Sequence, residues 1–479
     1  MKVLPITSLQ QQTDLRRINS ASKKLLVVDE QFFLFTKECF SNFTVMNRIK
    51  MLLVKLTIPL IVLICTWHAA NIHWGKQWNC IITSDGKGYY AYLPATFIYN
   101  DPNFGFYDTI ENKYYDWHLK SEYRSSINGK ATNKYFCGVA VLQLPFFLAG
   151  HAAAKISGAE ADGFSKPYAI ALNLATIFWL MTGLIFLRKL LLSFGANRVQ
   201  ASLILLTFVF GTNLFFYTIG EPAMSHVYSF AIITLFMVYS KKWIDGSKNK
   251  YLLLTFLLLG MITLVRPVNL LIVLWIPFVA GSFRATIEIA KKLFAKPTHL
   301  VLAMGLFLIP VFIQLFFYKF STGEFFVYTY KDENFNFAHP ELINFLFSYK
   351  KGLFIYTPLI FLSLFGFIPL WKKNRFRAAW LFFSLLLIIY ILSCWWMWYY
   401  GGSFGMRPMI EFYGLFALLF YFLIDALKSK LLRWSMFILT LLIITLCQVQ
   451  TLQYRYEIIH WSDMTKQTYW DVFLDTRKK

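Results

Sequence analysis

Charge is the scarcest property of this chain. Only 15% of its 479 residues are Asp, Glu, Lys or Arg, against about 25% in an average soluble domain. Acid is scarcer still, with 25 acidic residues against 47 basic ones and a net charge of +22. The six cysteines include no CxxC pair, which argues against a metal or dithiol framework and a disulfide-built secreted module. Cys65 and Cys447 fall inside apolar runs and read as packing residues. Cys80 and Cys137 share one loop, where a disulfide stays open. The alternating ten-residue strands of an outer-membrane barrel are missing, and so is a long polar stretch able to form a soluble domain. No internal repeat is visible, which weakens a transporter built from two related halves.

What fills the chain is apolar. It is 57% hydrophobic and 19% aromatic, with 50 Phe and 27 Tyr. About 20 apolar residues cross a bilayer as a helix, and such runs recur from residue 51 to residue 452. The fold class that follows is an all-α polytopic membrane protein. Spans are expected at 51–70, 167–190, 199–218, 224–240, 251–265, 267–281, 299–319, 353–371, 378–394, 409–427 and 433–452, which makes about eleven. The pair 251–265 and 267–281 is short, is broken at Arg266-Pro267 and reads as a tight helical hairpin. Residues 136–156 are apolar enough for another span, but Pro145 and the small residues of 150–154 suit a helix lying at the interface or re-entering.

The excess of basic charge is read as topology rather than nucleic-acid binding, because basic loops stay in the cytoplasm. Arg48, Lys50 and Lys55 flank the start of the first span and place it there. If 136–156 does not cross, the cytoplasmic loops collect Arg188, Lys241, Lys291, Lys373, Arg377 and most other cations. If it crosses, that pattern inverts and contradicts the first span. The outer face then holds a long first loop (71–166) and the segments 219–226, 320–352 and 395–408. Residues 1–45 read as a polar tail of little function, cytoplasmic or a non-native start, since Met46 to Lys50 looks like a start of its own. Residues 46–452 are the membrane domain, and 453–479 a short outer tail.

Three outer segments carry chemistry-bearing residues. Thr83 to Pro94 contains Asp85 between Ser84 and Gly86-Lys87-Gly88, followed by Tyr89. Glycines permit a sharp turn, and a carboxylate held there can take a proton from a hydroxyl; the plainer reading is a cap of a helix starting near Tyr89. Gly220-Glu221-Pro222-Ala223-Met224-Ser225-His226 sets an acid and an imidazole next to lipid, which is costly unless they have partners. They suit metal binding, a sugar hydroxyl or the orientation of Asp85, or else simply tie the turn together. Trp395 to Pro408 holds three Trp, two Tyr, three Gly and Arg407. The rings fit an interfacial belt, while Arg407 offers a planar donor fork for phosphate. Arg266, Lys350 and Lys351 are further outer cations, each also readable as an interfacial anchor. Asp101, Asp108, Glu111, Asp116 and Glu122 read as a solvated part of the first loop.

The early loop Asp in Ser84-Asp85-Gly86 to Pro94, the Trp398 to Pro408 stretch and the many spans resemble the GT-C superfamily of integral-membrane glycosyltransferases. Protein O-mannosyltransferases, aminoarabinose transferases and multi-spanning Bacteroidetes-type members are grouped there. The resemblance covers roughly 50–450. It implies a catalytic role for Asp85, with Glu221 or Asp101 as the second acid where many members have an adjacent acidic pair. It also implies a polyprenyl-phosphate-linked sugar donor, held by Arg407 with Lys351 or Arg266, and an acceptor that is a glycan, lipid or protein, with no nucleic acid. His226 and Tyr89 complete the expected substrate-binding set, and a divalent metal ion is a candidate cofactor. The expected reaction is sugar transfer with inversion at the outer face of a bacterial cytoplasmic membrane. The alternative is a lipid-linked sugar flippase or other transporter of cell-envelope precursors, which calls for polar groups at mid-membrane depth; Asn173, Asn213 and Asn269 are the modest examples. A membrane protein of assembly without chemistry is the third reading.

Overall fold

Long apolar sequences satisfy their backbone polar groups most simply as helices, and the chain is mostly helical. The computed structural model describes residues 51–477. The expected tail of 1–45 and its basic Met46 to Lys50 junction lie outside the described residues. Helix α1 is Met51–His73. The first loop then folds into α2 (Asp85–Phe97), α3 (Tyr107–Tyr114), a hairpin of β1 (Arg124–Ile127) and β2 (Lys130–Asn133), and α4 (Gly138–Ser157). Next come α5 (Lys166–Ser193), α6 (Arg198–Phe210), α7 (Leu214–Ile219), α8 (Ser225–Gly246) and α9 (Asn249–Val265). A 3-10 turn, Pro267–Leu274, leads into α10 (Trp275–Ala280), α11 (Phe283–Phe294) and α12 (Pro297–Thr322). The last third holds α13 (Leu342–Phe347), α14 (Leu353–Tyr356), α15 (Pro358–Leu364), α16 (Phe367–Lys373) and α17 (Arg375–Ser393). A second 3-10 turn, Arg407–Phe412, runs into α18 (Tyr413–Asp425), and α19 (Lys430–Arg455) and α20 (Lys466–Asp471) close the chain.

Among the described residues, seven helices are long and apolar enough to cross a membrane, or eight if the bent pair around Gly281 counts as one span. That is fewer than the eleven expected, because several apolar runs are broken. The run 199–218 is interrupted at Gly211-Thr212-Asn213, where Thr212 Oγ1 bonds Phe208 O at 2.6 Å and accepts from Leu214 N at 3.2 Å. The run 353–371 is cut by Pro358 and by Gly366, whose backbone meets that of Leu419 so closely that a Cβ would lie 1.9 Å from its carbonyl oxygen. At Arg266 the backbone extends (φ −155°, ψ 114°), so the break expected there is present. Its second arm is a 3-10 turn and a short helix rather than one regular helix. Residues 138–157 form one 20-residue helix, α4, that meets the same length and apolarity test.

The helical fold carries one short β element in its first loop. The β1–β2 pair is antiparallel, with Ile127 opposite Lys130. Asn128 and Gly129 between them both have positive φ (51° and 78°), the conformation that a two-residue type I′ hairpin requires. Cys80 and Cys137 are both free thiols.

Helix α8 is the axis of the bundle. It is buried along most of its length and packs on α5, α9 and the 407–412 turn. Its Ser225, His226, Ser229, Thr234 and Ser240 are all buried, which a helix facing lipid would not tolerate. The C-terminal tail is docked: Gln450 Nε2 donates to Tyr469 Oη at 2.8 Å, and the Tyr469 ring packs tilted against Tyr349 and edge-on against Tyr356.

Candidate functional site

The site starts at the N-terminus of α2. Ser84 precedes it at φ 50°, ψ −140°, a conformation that costs a residue with a side chain about 1–3 kcal/mol and collects at functional sites. The helix begins at Asp85 itself, not near Tyr89. Gly86 and Gly88 serve packing rather than a turn. A Cβ on Gly86 would fall 2.4 Å from that of Ala223, and one on Gly88 would fall 2.2 Å from the Tyr135 ring. The missing side chains let α2 press against the 221–224 connection and against Tyr135.

That packing fixes what Asp85 meets. Its Oδ2 accepts from Arg407 Nη2 at 2.7 Å, and its Oδ1 accepts from the Tyr135 hydroxyl at 2.7 Å. Burial alone would raise the Asp85 pKa. The Arg407 charge and the two hydrogen bonds outweigh it and hold the carboxyl below its ordinary value, so it is ionised at neutral pH. Arg407 opens the second 3-10 turn just after Gly405, whose φ is 61° and whose Cβ would crowd that of Tyr356 at 2.9 Å. Its other terminal nitrogen, Nη1, has only the Met224 sulfur at 3.7 Å, so a donor remains for a ligand.

A second charged group lies beside the first. Arg266 Nη1 bonds Glu411 Oε1 at 2.5 Å, and His226 Nδ1 shares the same oxygen at 3.0 Å. A carboxylate accepts, so Nδ1 carries the proton and Nε2 is the ring atom left for the cavity. The Glu411 side chain is fully buried (0% exposed), and its Oε2 has no hydrogen-bond partner. Glu411 did not stand out in the sequence. Its signal was an acid four residues beyond Arg407 inside an apolar run, where a buried charge needs partners.

Asp85, Tyr89, His226, Arg266 and Arg407 all line one cavity of about 430 Å³. All four expected outer segments reach its wall or its edge. Lys134 and Tyr135 come from the first loop, His226 from the end of the second segment, Tyr330 and Glu333 from the third, and Trp395 and Gly401 from the fourth. The last two are stitched together: Trp396 N donates to Asn334 O at 2.9 Å and Asn336 N to Cys394 O at 2.7 Å. Lys134 pairs with Glu333 at 2.5 Å across the rim. A second, apolar hollow of about 410 Å³ shares Phe136, Pro267 and Tyr328 with the first and continues along Val311, Leu315 and Phe325.

Glu221 and Lys351 are not on the cavity wall. Glu221 Oε2 is buried without a hydrogen-bond partner. Burial pushes its pKa up to about 7, with Arg407 pulling it down and Asp85 pushing it further up. Lys351 is buried and donates to Ser403 O. Burial pushes its pKa down to about 7. Both stand behind Arg407 and shape its field. Lys350 stacks on Tyr399 at 3.8 Å. Glu111, expected in solvent, is instead buried and bonded through both oxygens to Lys87 Nζ at 2.7 Å. Asp101 is a loop fastener, accepting from Asn103 N at 2.9 Å and Gly105 N at 2.5 Å.

Among the described residues, no group of three or more His, Cys, Asp or Glu side chains is placed to hold a metal ion. No family model and no curated protein matches the chain.

Proposed function

We propose that this protein is a membrane glycosyltransferase of the GT-C type, moving a sugar from a polyprenyl-phosphate donor to a hydroxyl acceptor on the outer face of a bacterial cytoplasmic membrane. The observation that carries the reading is the meeting of Asp85 and Arg407. They are 322 residues apart in sequence and 2.7 Å apart in space, on the wall of a cavity built from the segments expected on the outer face. A donor of this kind needs cations for its phosphate and an apolar path for its chain. Arg407 and Arg266 supply the first, and the hollow along Val311 and Phe325 suits the second.

In this mechanism the acceptor hydroxyl displaces the Tyr135 hydroxyl from Asp85 Oδ1. The acceptor oxygen bonds the sugar C1 as the C1–O bond to phosphate breaks, through an oxocarbenium-like state. The acceptor proton goes to Asp85, and polyprenyl phosphate leaves with its charge held by Arg407 and Arg266. A single displacement inverts the anomeric carbon. Phosphate leaves without a general acid. In this reading His226 and Tyr89, both on the cavity wall, hold hydroxyls of the sugar. Glu221 and Lys351 tune Arg407 from behind.

A flippase reading calls for free polar groups at mid-depth. Of the three asparagines singled out for it, Asn213 is bonded through both amide atoms, to Tyr413 Oη at 2.5 Å and Phe404 O at 2.9 Å, whereas Asn173 and Asn269 each make one bond, to Trp74 Nε1 at 3.1 Å and Ser229 Oγ at 3.2 Å, and each keep one buried amide atom without a partner. The test compares cell-envelope glycans by mass spectrometry after deletion and after complementation with wild type, Asp85→Asn or Arg407→Ala. Only wild type is expected to restore the missing sugar. Full restoration by both variants at normal abundance removes the enzyme reading. Transport of a lipid-linked sugar without its transfer, in reconstituted vesicles, favours the flippase.

A further inference from the structure

At the opposite end of the bundle from the cavity, the chain carries a second cationic hollow, of about 120 Å³, walled by Lys241, Lys373, Arg377, Asn374 and the rings of Phe194 and Phe422. Lys241 follows His226 along α8, and Arg377 precedes Leu392 along α17. Fifteen residues of helix place the two hollows roughly 22 Å apart. Arg377 is partly spent, since Nε and Nη2 donate to Phe278 O and Val279 O at 3.1 Å. Lys241 pairs with Asp245 at 2.6 Å. Lys373 has no acidic partner among the described residues and leans toward the Phe422 ring at 5.7 Å. The hollow is therefore net positive, with donors to spare and aromatic walls.

The element beside it gives its depth. Helix α11 starts after Gly281, where a Cβ would lie 3.0 Å from the Arg377 guanidinium, and it turns 116° away from the preceding Pro267–Ala280 segment. None of its residues is fully buried. Ile289 and Leu293 lean on Trp243, Leu252 and Ala303. Phe283, Ile287 and Phe294 form a separate apolar stripe at i, i+4 and i+11, with both Phe side chains 69% exposed. Arg284, Lys291 and Lys292 occupy the remaining face with Glu288, which pairs with Lys291 at 3.0 Å and leaves the face net positive. A short helix with a basic face and an exposed apolar stripe, bent sharply out of the bundle, lies in the headgroup–acyl boundary. The hollow at its root then opens at headgroup depth.

We infer that the Lys241–Lys373–Arg377 hollow binds the phosphate of an anionic phospholipid headgroup in the leaflet on which α11 rests. Basic pockets between membrane helices on the basic side of a protein take such headgroups. The ligand chemistry is a phosphate monoanion with an uncharged or anionic substituent, and α11 beside the hollow favours a lipid over a free ion. The inference does not depend on the glycosyltransferase reading.

The test uses the purified full chain in nanodiscs of phosphatidylcholine with or without phosphatidylglycerol, followed by native mass spectrometry and thermal unfolding. Wild type is expected to retain phosphatidylglycerol and to unfold at higher temperature with it. Lys241→Gln/Lys373→Gln is expected to weaken that retention about thirtyfold while unfolding normally in pure phosphatidylcholine. Arg377 is left intact because it caps backbone carbonyls. If the double variant is unstable in phosphatidylcholine, the exposed Lys373→Gln alone carries the comparison, expected at about fivefold. Unchanged retention in these variants overturns the inference. So does equal stabilisation by millimolar inorganic phosphate in phosphatidylcholine, which assigns the hollow to a free ion. Retention lost instead in Arg284→Gln/Lys291→Gln/Lys292→Gln, with the hollow intact, assigns it to the surface of α11 and equally overturns it.

Discussion

Replacing Asp85 by Asn keeps shape and removes charge, so it isolates the ion pair on which the site depends. The Asp85 side chain is 30% exposed and that of Arg407 10%. Breaking a fully buried pair costs about 3–5 kcal/mol because one charge is left uncompensated, whereas an exposed pair is worth about 0–1 kcal/mol. This pair sits between those limits, and Glu221 behind Arg407 supplies part of the missing charge. A cost of about 2 kcal/mol follows for Asp85→Asn and likewise for Arg407→Gln, with a double variant no worse than either. The coupling in that cycle is then about 2 kcal/mol. The assay is unfolding of the four proteins in one detergent, with Tyr135→Phe as a control that loses a single neutral hydrogen bond of about 1 kcal/mol. Coupling under about 0.5 kcal/mol means that the two side chains do not meet, and the site dissolves with them. Activity follows the same logic. Each single variant is expected to lose about 10²–10⁴ in sugar transfer, the usual range for a positioned acid–base group. The double variant should lose no more, since groups acting as a unit are not additive.

Gly88→Ala puts a methyl against the Tyr135 ring, so it is expected to destabilise by about 1–3 kcal/mol and to lower activity by displacing Tyr135 from Asp85; normal unfolding and full activity would contradict the packing. Lys87→Met leaves Glu111 buried and unpaired and should cost about 3–5 kcal/mol, whereas Lys87→Met/Glu111→Leu should regain most of it, as read by unfolding temperature. Glu221 has a pKa raised to about 7 and Lys351 one lowered to about 7. For Glu221 the folded state binds the extra proton, so its contribution to stability falls as pH rises from the ordinary carboxylate value to about 7. For Lys351 the unfolded state binds it, so its contribution rises from about pH 7 toward the ordinary lysine value. Unfolding temperature against pH is therefore expected to dip near 7; Glu221→Gln should flatten the acid arm and Lys351→Met the alkaline arm, and unchanged arms would refute the assignment.

The sequence carried the parts of this structure that follow from one-dimensional patterns. Apolar runs give helices because no other local structure satisfies the backbone in lipid, whereas the all-α reading of the chain passes over the Asn128-Gly129 hairpin. Which runs stay whole was not readable. One is interrupted at Gly211-Thr212-Asn213, where Thr212 Oγ1 accepts from Leu214 N, and another at Gly366, where α18 passes against the backbone, a fact that lives in tertiary packing. The site divides the same way. Asp85 and Arg407 stood out because each is a lone charge among glycines and rings at a membrane edge. Glu411 did not, because its purpose is visible only once α8 brings His226 beside it and Arg266 closes over both. Gly86 and Gly88 looked like turn residues and prove to be contact residues, since a glycine's absent side chain is specified by what occupies the space. The same holds for Glu111, which loop composition assigned to solvent and which burial of Lys87 draws inward. A charge scarce enough to be noticed in such a chain is therefore best read as half of a pair, and the other half is found by asking which element the fold must bring to it.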